Sequence, residues 1–296
     1  MTRQQRANLV KGLLFISPWA IGFAAFTAYP IAASLYYSLT DYNIFEAPYW
    51  VGSQNYRDLA SDKVFWISLG NTLYMILLGV PATLLAGLGL AFLLNLPIRG
   101  ISLYRTLFYL PSILPEVSVA ILWLWLLNSQ YGLVNALLAL IGIQGPGWLV
   151  DPAWAKPAFI LLSVWGGSGA SMIIYLAALK DVPIQLYEAA ELDGASPLQK
   201  TWYVTLPMIS PVIFFNLTLG IIGMFQYFTP AFIMTDGGPE WSTEFYGLYL
   251  YRNAFRYLKM GYASAMAWIL FIVTLLATLV VFKSSARWVY YHGELK

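Results

Sequence analysis

The residues able to do chemistry are few and unevenly placed. Between positions 180 and 211 the chain reads KDVPIQLYEAAELDGASPLQKTWYVTLPMISP, which gathers Asp181, Glu188, Glu191 and Asp193 between Lys180 and Lys200. The chain has no cysteine and one histidine, His292 in the C-terminal tail, which reads as a boundary residue. No thiolate or imidazole set for a metal is therefore available, and scattered serines without a convergent base make no nucleophilic site. No Gly-x-x-x-x-Gly-Lys-Ser/Thr occurs, nor any Gly-Lys pair, so the chain lacks a phosphate-cradling loop of that kind. No catalytic residue and no metal site are expected. The 180–206 segment is the longest polar stretch between two apolar runs of membrane length, and Gly194 permits a turn within it. A net charge of +2 is too small to argue for nucleic acid.

The elements that hold this loop are apolar. Of the 296 residues 59% are hydrophobic and only 10% charged, and mean hydropathy is +0.66. A soluble domain carries about 25% charged residues, so the composition is that of a membrane protein. Crossing ~30 Å of hydrocarbon takes about 20 apolar residues in a helix. Uncharged intervals of that length predict an all-α polytopic fold: one membrane domain over 1–296, with six transmembrane helices at about 12–40, 66–95, 106–127, 157–179, 207–233 and 261–283. The first follows Arg3, Arg6 and Lys11 like a signal peptide, but it is too long for one and reads as an uncleaved helix. Pro111 and Pro115 fall inside the third, where neighbouring helices and water can satisfy freed carbonyls. A short interfacial helix is expected at 132–142. Within the polar loop, Pro183 suits an early helix position, Gln185–Leu192 a short helix, Gly194 a stop, and Ser196-Pro197 a second start.

Six spans put both termini on one side of the membrane. Of the 16 Lys and Arg, ten fall in the N-terminus, the 96–105 connection, the 180–206 loop and the tail, against six in the other connections. That excess predicts cytoplasmic termini and a cytoplasmic 180–206 loop. Trp50, Trp148, Trp154, Trp241 and Trp288 lie near helix ends as interfacial anchors.

Inside the spans three features stand out. Glu116 is the ionisable residue well inside a predicted helix, and an intramembrane carboxylate needs an interior or watery partner; a structural role and a pathway role both stay open. Residues 163–175, SVWGGSGASMIIY, loosen a helix with three glycines and three serines. Polar backbone at that depth is tolerated only against protein or a water-filled cavity. Gly79, Thr83, Gly87 and Ala91 recur every four residues, a spacing that reads as close helix packing.

Glu188-Ala189-Ala190, then Gly194 after three intervening residues, then Val204 and Leu206-Pro207, resemble the EAA loop of binding-protein-dependent ABC importers. Thr235-Asp236-Gly237-Gly238-Pro239 and the aromatic stretch after it resemble the sugar-permease branch of that family, and the likeness covers roughly residues 10–285. The resemblance implies the fold of an ABC type I importer permease in a bacterial inner (cytoplasmic) membrane. It implies, as partners, a second homologous permease, two copies of an ABC ATPase, an extracytoplasmic solute-binding protein, a sugar and the lipid bilayer. No cofactor is expected on this chain, ATP and Mg belonging to the ATPase. Coupling to that ATPase would fall to Glu188, Ala189, Ala190, Asp193 and Gly194.

Sugar contacts in the maltose-type permeases carry over by position to Ser163, Gly166, Gly167 and Ala170, and to Gly220, Gly223, Met224 and Tyr227. Gln226 adds an amide beside them, and the polar groups of Asn216 and Thr229 lie nearby. Most of these are not the amide-bearing residues that hold maltose in the family, so the resemblance does not extend to maltose itself. Gly237, Gly238 and Pro239, a turn by chemistry, would face the binding protein outside.

Three other readings stand beside this one. A permease of the same family for another polar solute, such as glycerol-3-phosphate, would favour Lys or Arg beside its pathway, and the predicted spans supply none. An ion-coupled secondary transporter would call for internal repeats and more intramembrane charge. An intramembrane enzyme would call for a nucleophile and base that converge.

Overall fold

The computed structural model describes residues 2–290; His292 and the rest of the tail lie outside the described residues. The helices are α1 Arg3–Ser38, α2 Gln54–Ser61, α3 Lys63–Leu94, α4 Ile101–Ile113, α5 Glu116–Leu126, α6 Leu133–Leu140, α7 Pro152–Asp181, α8 Ile184–Leu192, α9 Pro197–Phe225, α10 Thr229–Met234, α11 Tyr246–Tyr251 and α12 Met260–Ser285. One two-residue strand pair, β1 Thr40–Asp41 and β2 Tyr49–Trp50, sits between α1 and α2. Among the described residues five helices (α1, α3, α7, α9, α12) are long and apolar enough to cross a membrane, and α4 with α5 forms a sixth candidate bent by 99°.

That bend corrects the continuous third helix expected over 106–127. Leu114 and Pro115 are both extended (ψ 140° and 132°), because the residue before a proline avoids helical backbone and proline itself has no N–H to bond the preceding turn. Glu116 consequently lies not in mid-helix but in the first turn of α5, where helix N–H groups are unpaired. Other prolines are absorbed without a break. Wide π turns at Ala24–Ala28, Met75–Gly79 and Thr201–Thr205 each end two residues before Pro30, Pro81 or Pro207. Widening the turn carries the helix past the missing donor and the clashing ring.

Helix ends also differ from expectation. The Thr2 side chain accepts from Gln5 N (3.3 Å) while Thr2 N donates to Gln5 Oε1 (2.9 Å), a capping box that starts α1 at Arg3 rather than near 12. α7 begins at Pro152, capped by Asp151, and α9 begins at Pro197, so the loop's second helix is the first turns of the fifth span. α9 then stops at Phe225, short of the expected 233, and Pro230 opens the separate α10.

The chain divides into two compact units, Met1–Asp62 with Leu250–Phe271, and Lys63–Tyr249 with Ile272–Lys296. In the first, Asn55 donates to the carbonyls of Ser38 and Thr40 (both 2.9 Å), Tyr262 OH to Asp62 (2.5 Å) and Trp268 Nε1 to Ser34 Oγ (3.2 Å). Its long helix α1 leaves Leu13, Phe15, Trp19 and Phe26 exposed, as a helix surrounded by lipid or other chains would.

In the second unit the largest helix interface joins α3 to α7. Here the small-residue stripe has its partner. A Cβ on Gly87 would lie 2.8 Å from Ser171 Cβ and 3.0 Å from Ser168 O, and Ala91 is fully buried. Two apolar clusters form along this pair. One contains Met75, Trp123, Phe159 and Phe245; the other contains Ala91, Met172, Tyr175, Leu179 and Ile209. Gly87→Leu is therefore expected to destabilise the unit by about 1–3 kcal/mol or more through overpacking. A lower unfolding temperature of the purified membrane complex checks it, and unchanged melting would show that α3 and α7 can separate at that point.

Candidate functional site

The acidic loop is built by local rules. Pro183 stands just outside α8 as its cap (φ −59°, ψ 129°) rather than within the first turn. Gly194 takes φ +78°, and the helix closes with Ala195 N donating to Ala190 O (2.9 Å) and Gly194 N to Glu191 O (3.0 Å). That double bond is the Schellman pattern, which a glycine in left-handed conformation makes possible. Ser196 then restarts the helix: its Oγ accepts from Gln199 N (3.4 Å) and its N–H donates to Gln199 Oε1 (2.8 Å).

Two side-chain ties complete the loop. Lys200 Nζ donates to Glu191 Oε1 at 2.6 Å across the turn, a pair that sequence reasoning did not single out. Tyr187 and Thr205 share a hydroxyl contact of 3.0 Å, and Tyr187, Val204 and Leu206 pack on the apolar cluster around Tyr175 and Ile209. The loop is thus seated on the ends of α7 and α9. Glu188, Ala189, Asp193 and Gly194 stay exposed and Ala190 is half-buried. Among the described residues neither Glu188 nor Asp193 has an ion-pair partner.

Between the two apolar clusters lies a cavity of about 470 Å³, walled by the middle of α3, the α4–α5 break, the middle of α7 and the last turns of α9. Of the residues singled out in the sequence, Ser163, Gly166, Gly167, Gly220, Gly223, Met224 and Tyr227 line it, and so does Glu116. Ala170 and Gln226 do not; both are exposed elsewhere, Ala170 on another face of α7 and Gln226 at the C-terminal cap of α9. Asn216 lines it too, with its amide N–H bonded to Val212 O (3.0 Å).

The glycines in this wall have different jobs. A Cβ on Gly167 would meet Thr83 Cγ2 at 2.9 Å and one on Gly220 would meet Val80 Cγ1 at 2.9 Å, whereas Gly166 and Gly223 have nothing within 4 Å. The first two allow close packing, and the second two leave open space. The hydroxyls of Thr83, Ser163 and Tyr227 are buried in the same wall; those of Ser163 and Tyr227 face each other, and that of Thr83 has no hydrogen-bond partner in the chain. The spacing of Gly79, Thr83, Gly87 and Ala91 points to packing; the pairing of α3 with α7, which is not local in sequence, brings Thr83 to this site.

The Gly237–Pro239 turn sits apart from the cavity. Asp236 and Gly237 take φ 43° and 81°, and the Gly238–Pro239 peptide is cis. Thr243 Oγ1 donates to Gly238 O (2.5 Å), and a cleft of about 380 Å³ opens between Gly238-Pro239 and Asn128-Ser129. The segment is pinned from α3: Asn71 Nδ2 donates to Trp241 O (2.7 Å) and Glu244 O (3.1 Å), and Thr72 Oγ1 accepts from Tyr246 N (2.9 Å). Lys156 of α7 donates to Asn71 Oδ1 (3.1 Å) and lies 4.9 Å from the centre of the Tyr74 ring. Asn71 and Lys156 carry no motif that the sequence would reveal.

Asn71→Leu removes three hydrogen bonds at once, each group losing its partner at about 1–3 kcal/mol. Limited proteolysis of the membrane complex should cut the 235–245 segment faster in this variant. An unchanged cleavage rate would mean that Thr72 and Thr243 hold the segment alone. Trp148 donates to Asn135 Oδ1 (2.8 Å) and packs against the cluster around Trp123, tying the 128–150 connection to the unit.

Against known proteins, residues 79–289 match the family model described as binding-protein-dependent transport system inner membrane component. The chain is 45% identical to the probable ABC transporter permease protein YesP of Bacillus subtilis, with 99% of this chain and 96% of that one covered. It is 35% identical to the lactose transport system permease protein LacF of Rhizobium radiobacter, over 93% and 94% of the two chains. A chain in the crystal structure of a bacterial alginate ABC transporter, solved with an alginate pentasaccharide-bound periplasmic protein, superposes with a TM-score of 0.79 at 25% identity, covering 96% of each chain. Apolar spans, a Schellman-closed acidic loop on their ends and a match over most of the length agree: this chain belongs to the family of binding-protein-dependent transport system inner membrane components.

Proposed function

We propose that this chain is one permease subunit of an ATP-driven importer for an uncharged sugar or oligosaccharide. The observation that carries the reading is the placement of the cavity and the acidic loop on the same two helices. α7 and α9 line the cavity with their middles and hold the loop, with Glu188 exposed, at their ends. A push on the loop is therefore delivered to the cavity walls through packed helix, which is what coupling to a motor requires. ATP and Mg bind a separate ATPase present in two copies, Glu188 offers that ATPase its carboxylate, and this polypeptide makes and breaks no covalent bond. A second, related permease completes the pathway. The termini and the loop face the cytoplasm, and the Gly237–Pro239 turn faces a solute-binding protein outside. Relatives and structural neighbours named for lactose and alginate transport support a carbohydrate cargo. Among the described residues no Lys, Arg or His lines the cavity, which disfavours a phosphorylated solute such as glycerol-3-phosphate.

The test is to tag the chain, purify it gently from its own membranes and identify its companions. One copy of a second EAA-bearing permease and two of a P-loop ATPase are expected. With the binding protein added, ATP hydrolysis should rise for particular sugars in a panel. A chain that purifies alone and moves solute without ATP would overturn the reading.

A further inference from the structure

We propose that Glu116, together with the hydroxyls of Thr83, Ser163 and Tyr227, forms a recognition site that accepts uncharged polyhydroxy solutes and rejects acidic ones. The inference rests on the reading of the cavity as the transport pathway and deepens it. Three separate elements, α3, α7 and the segment following α9, each bring one buried hydroxyl to the same cavity wall: those of Ser163 and Tyr227 face each other, and that of Thr83 has no partner in the chain. Buried polar groups in folded proteins are almost always paired, so an unpaired hydroxyl beside two others that meet only each other points to a ligand that supplies the complement. A hydroxyl both donates and accepts, and so can meet a sugar hydroxyl in either sense. Glu116 differs, because a carboxylate only accepts. Its two oxygens suit a pair of neighbouring hydroxyls that each donate a proton.

The same carboxylate opposes an acidic sugar. Two negative charges in a cavity walled by apolar spans repel more strongly than in water. No Lys, Arg or His among the lining residues offsets them, while Val80 and Leu219 present aliphatic surface to the C–H face of a sugar ring. Thr83 is held in place by its methyl carbon, which fills the notch at Gly167. The structural neighbour named for import of the acidic polysaccharide alginate provides the contrasting cargo class.

The experiment uses the intact assembly. The chain has no cysteine and a side chain at Gly223 meets nothing within 4 Å, so G223C supplies one thiol facing the cavity. Its maleimide labelling rate is followed with lactose, diacetylchitobiose and an alginate-derived uronate disaccharide, beside ATP-dependent uptake of each. The neutral sugars should slow labelling and the uronate should not. Adding E116Q should narrow that preference by at least about tenfold, and T83V or Y227F should weaken protection by the neutral sugars. An unchanged preference in E116Q overturns the proposal, as does loss of the partner chains on purification of that variant, which would make Glu116 a subunit contact. Sugar uptake without any protection of G223C would refute the recognition site alone. Neither uptake nor protection with any sugar would refute the carbohydrate reading with it.

Discussion

Glu188→Lys is expected to abolish uptake while the chain still accumulates in the membrane at its normal level. The residue lies on the exposed face of α8 and takes no part in the capping bonds, the Lys200 tie or the apolar seat of the loop. Reversing its sign therefore leaves the fold intact. Its effect would arise on docking, when the carboxylate and a basic group of the ATPase are desolvated together. Losing one member of such a pair costs about 2–5 kcal/mol, roughly thirtyfold to several thousandfold in affinity, and a reversed charge adds repulsion. ATP-driven uptake alongside membrane quantification separates this from misfolding. Glu191→Ala provides the contrast three residues away. It breaks an exposed ion pair with Lys200 worth about 0–1 kcal/mol, at most a factor of about five. Equal losses in both variants would mean that the loop's shape matters and no anchor exists; normal uptake in Glu188→Lys would remove Glu188 from the coupling.

How much of this was legible in the sequence depended on how local each cause was. The loop could be read because its determinants lie within a few residues: a glycine placed to take φ +78°, a Ser196–Gln199 box, prolines at helix starts. The number of spans followed from hydropathy and length. Helix ends did not, because a charge near the membrane surface does not stop a helix when a cap further out, such as Thr2, carries it on. Prolines were ambiguous for a similar reason. Pro30, Pro81 and Pro207 follow π turns, whereas Pro115 ends a helix altogether, and the residue type alone does not distinguish the two outcomes. The cavity was read only in part. Its glycines and Tyr227 were recognisable by position, but Thr83 needed the facing side of α7, and Asn71 bonds a carbonyl 170 residues away.

Gly223→Leu is expected to block transport while leaving stability nearly unchanged. Gly167 is the more conspicuous choice in the sequence, yet a Cβ there strikes Thr83 Cγ2 at 2.9 Å. A leucine at 167 would force α3 from α7, so lost transport could mean either a blocked path or a damaged fold. At Gly223 the new side chain enters space with nothing within 4 Å of its first carbon. Inside an α-helix, glycine to leucine also relieves a propensity penalty of about 0.8–1 kcal/mol, so folding should not suffer. The added volume then falls where solute would pass. The measurement is paired: unfolding temperature of the purified assembly, and initial uptake rate at saturating sugar. Native-like melting with uptake reduced at least about tenfold places the path through this cavity. Native-like melting with unchanged uptake kinetics would move the path elsewhere in the assembly, since a leucine facing the stream of solute cannot be kinetically silent.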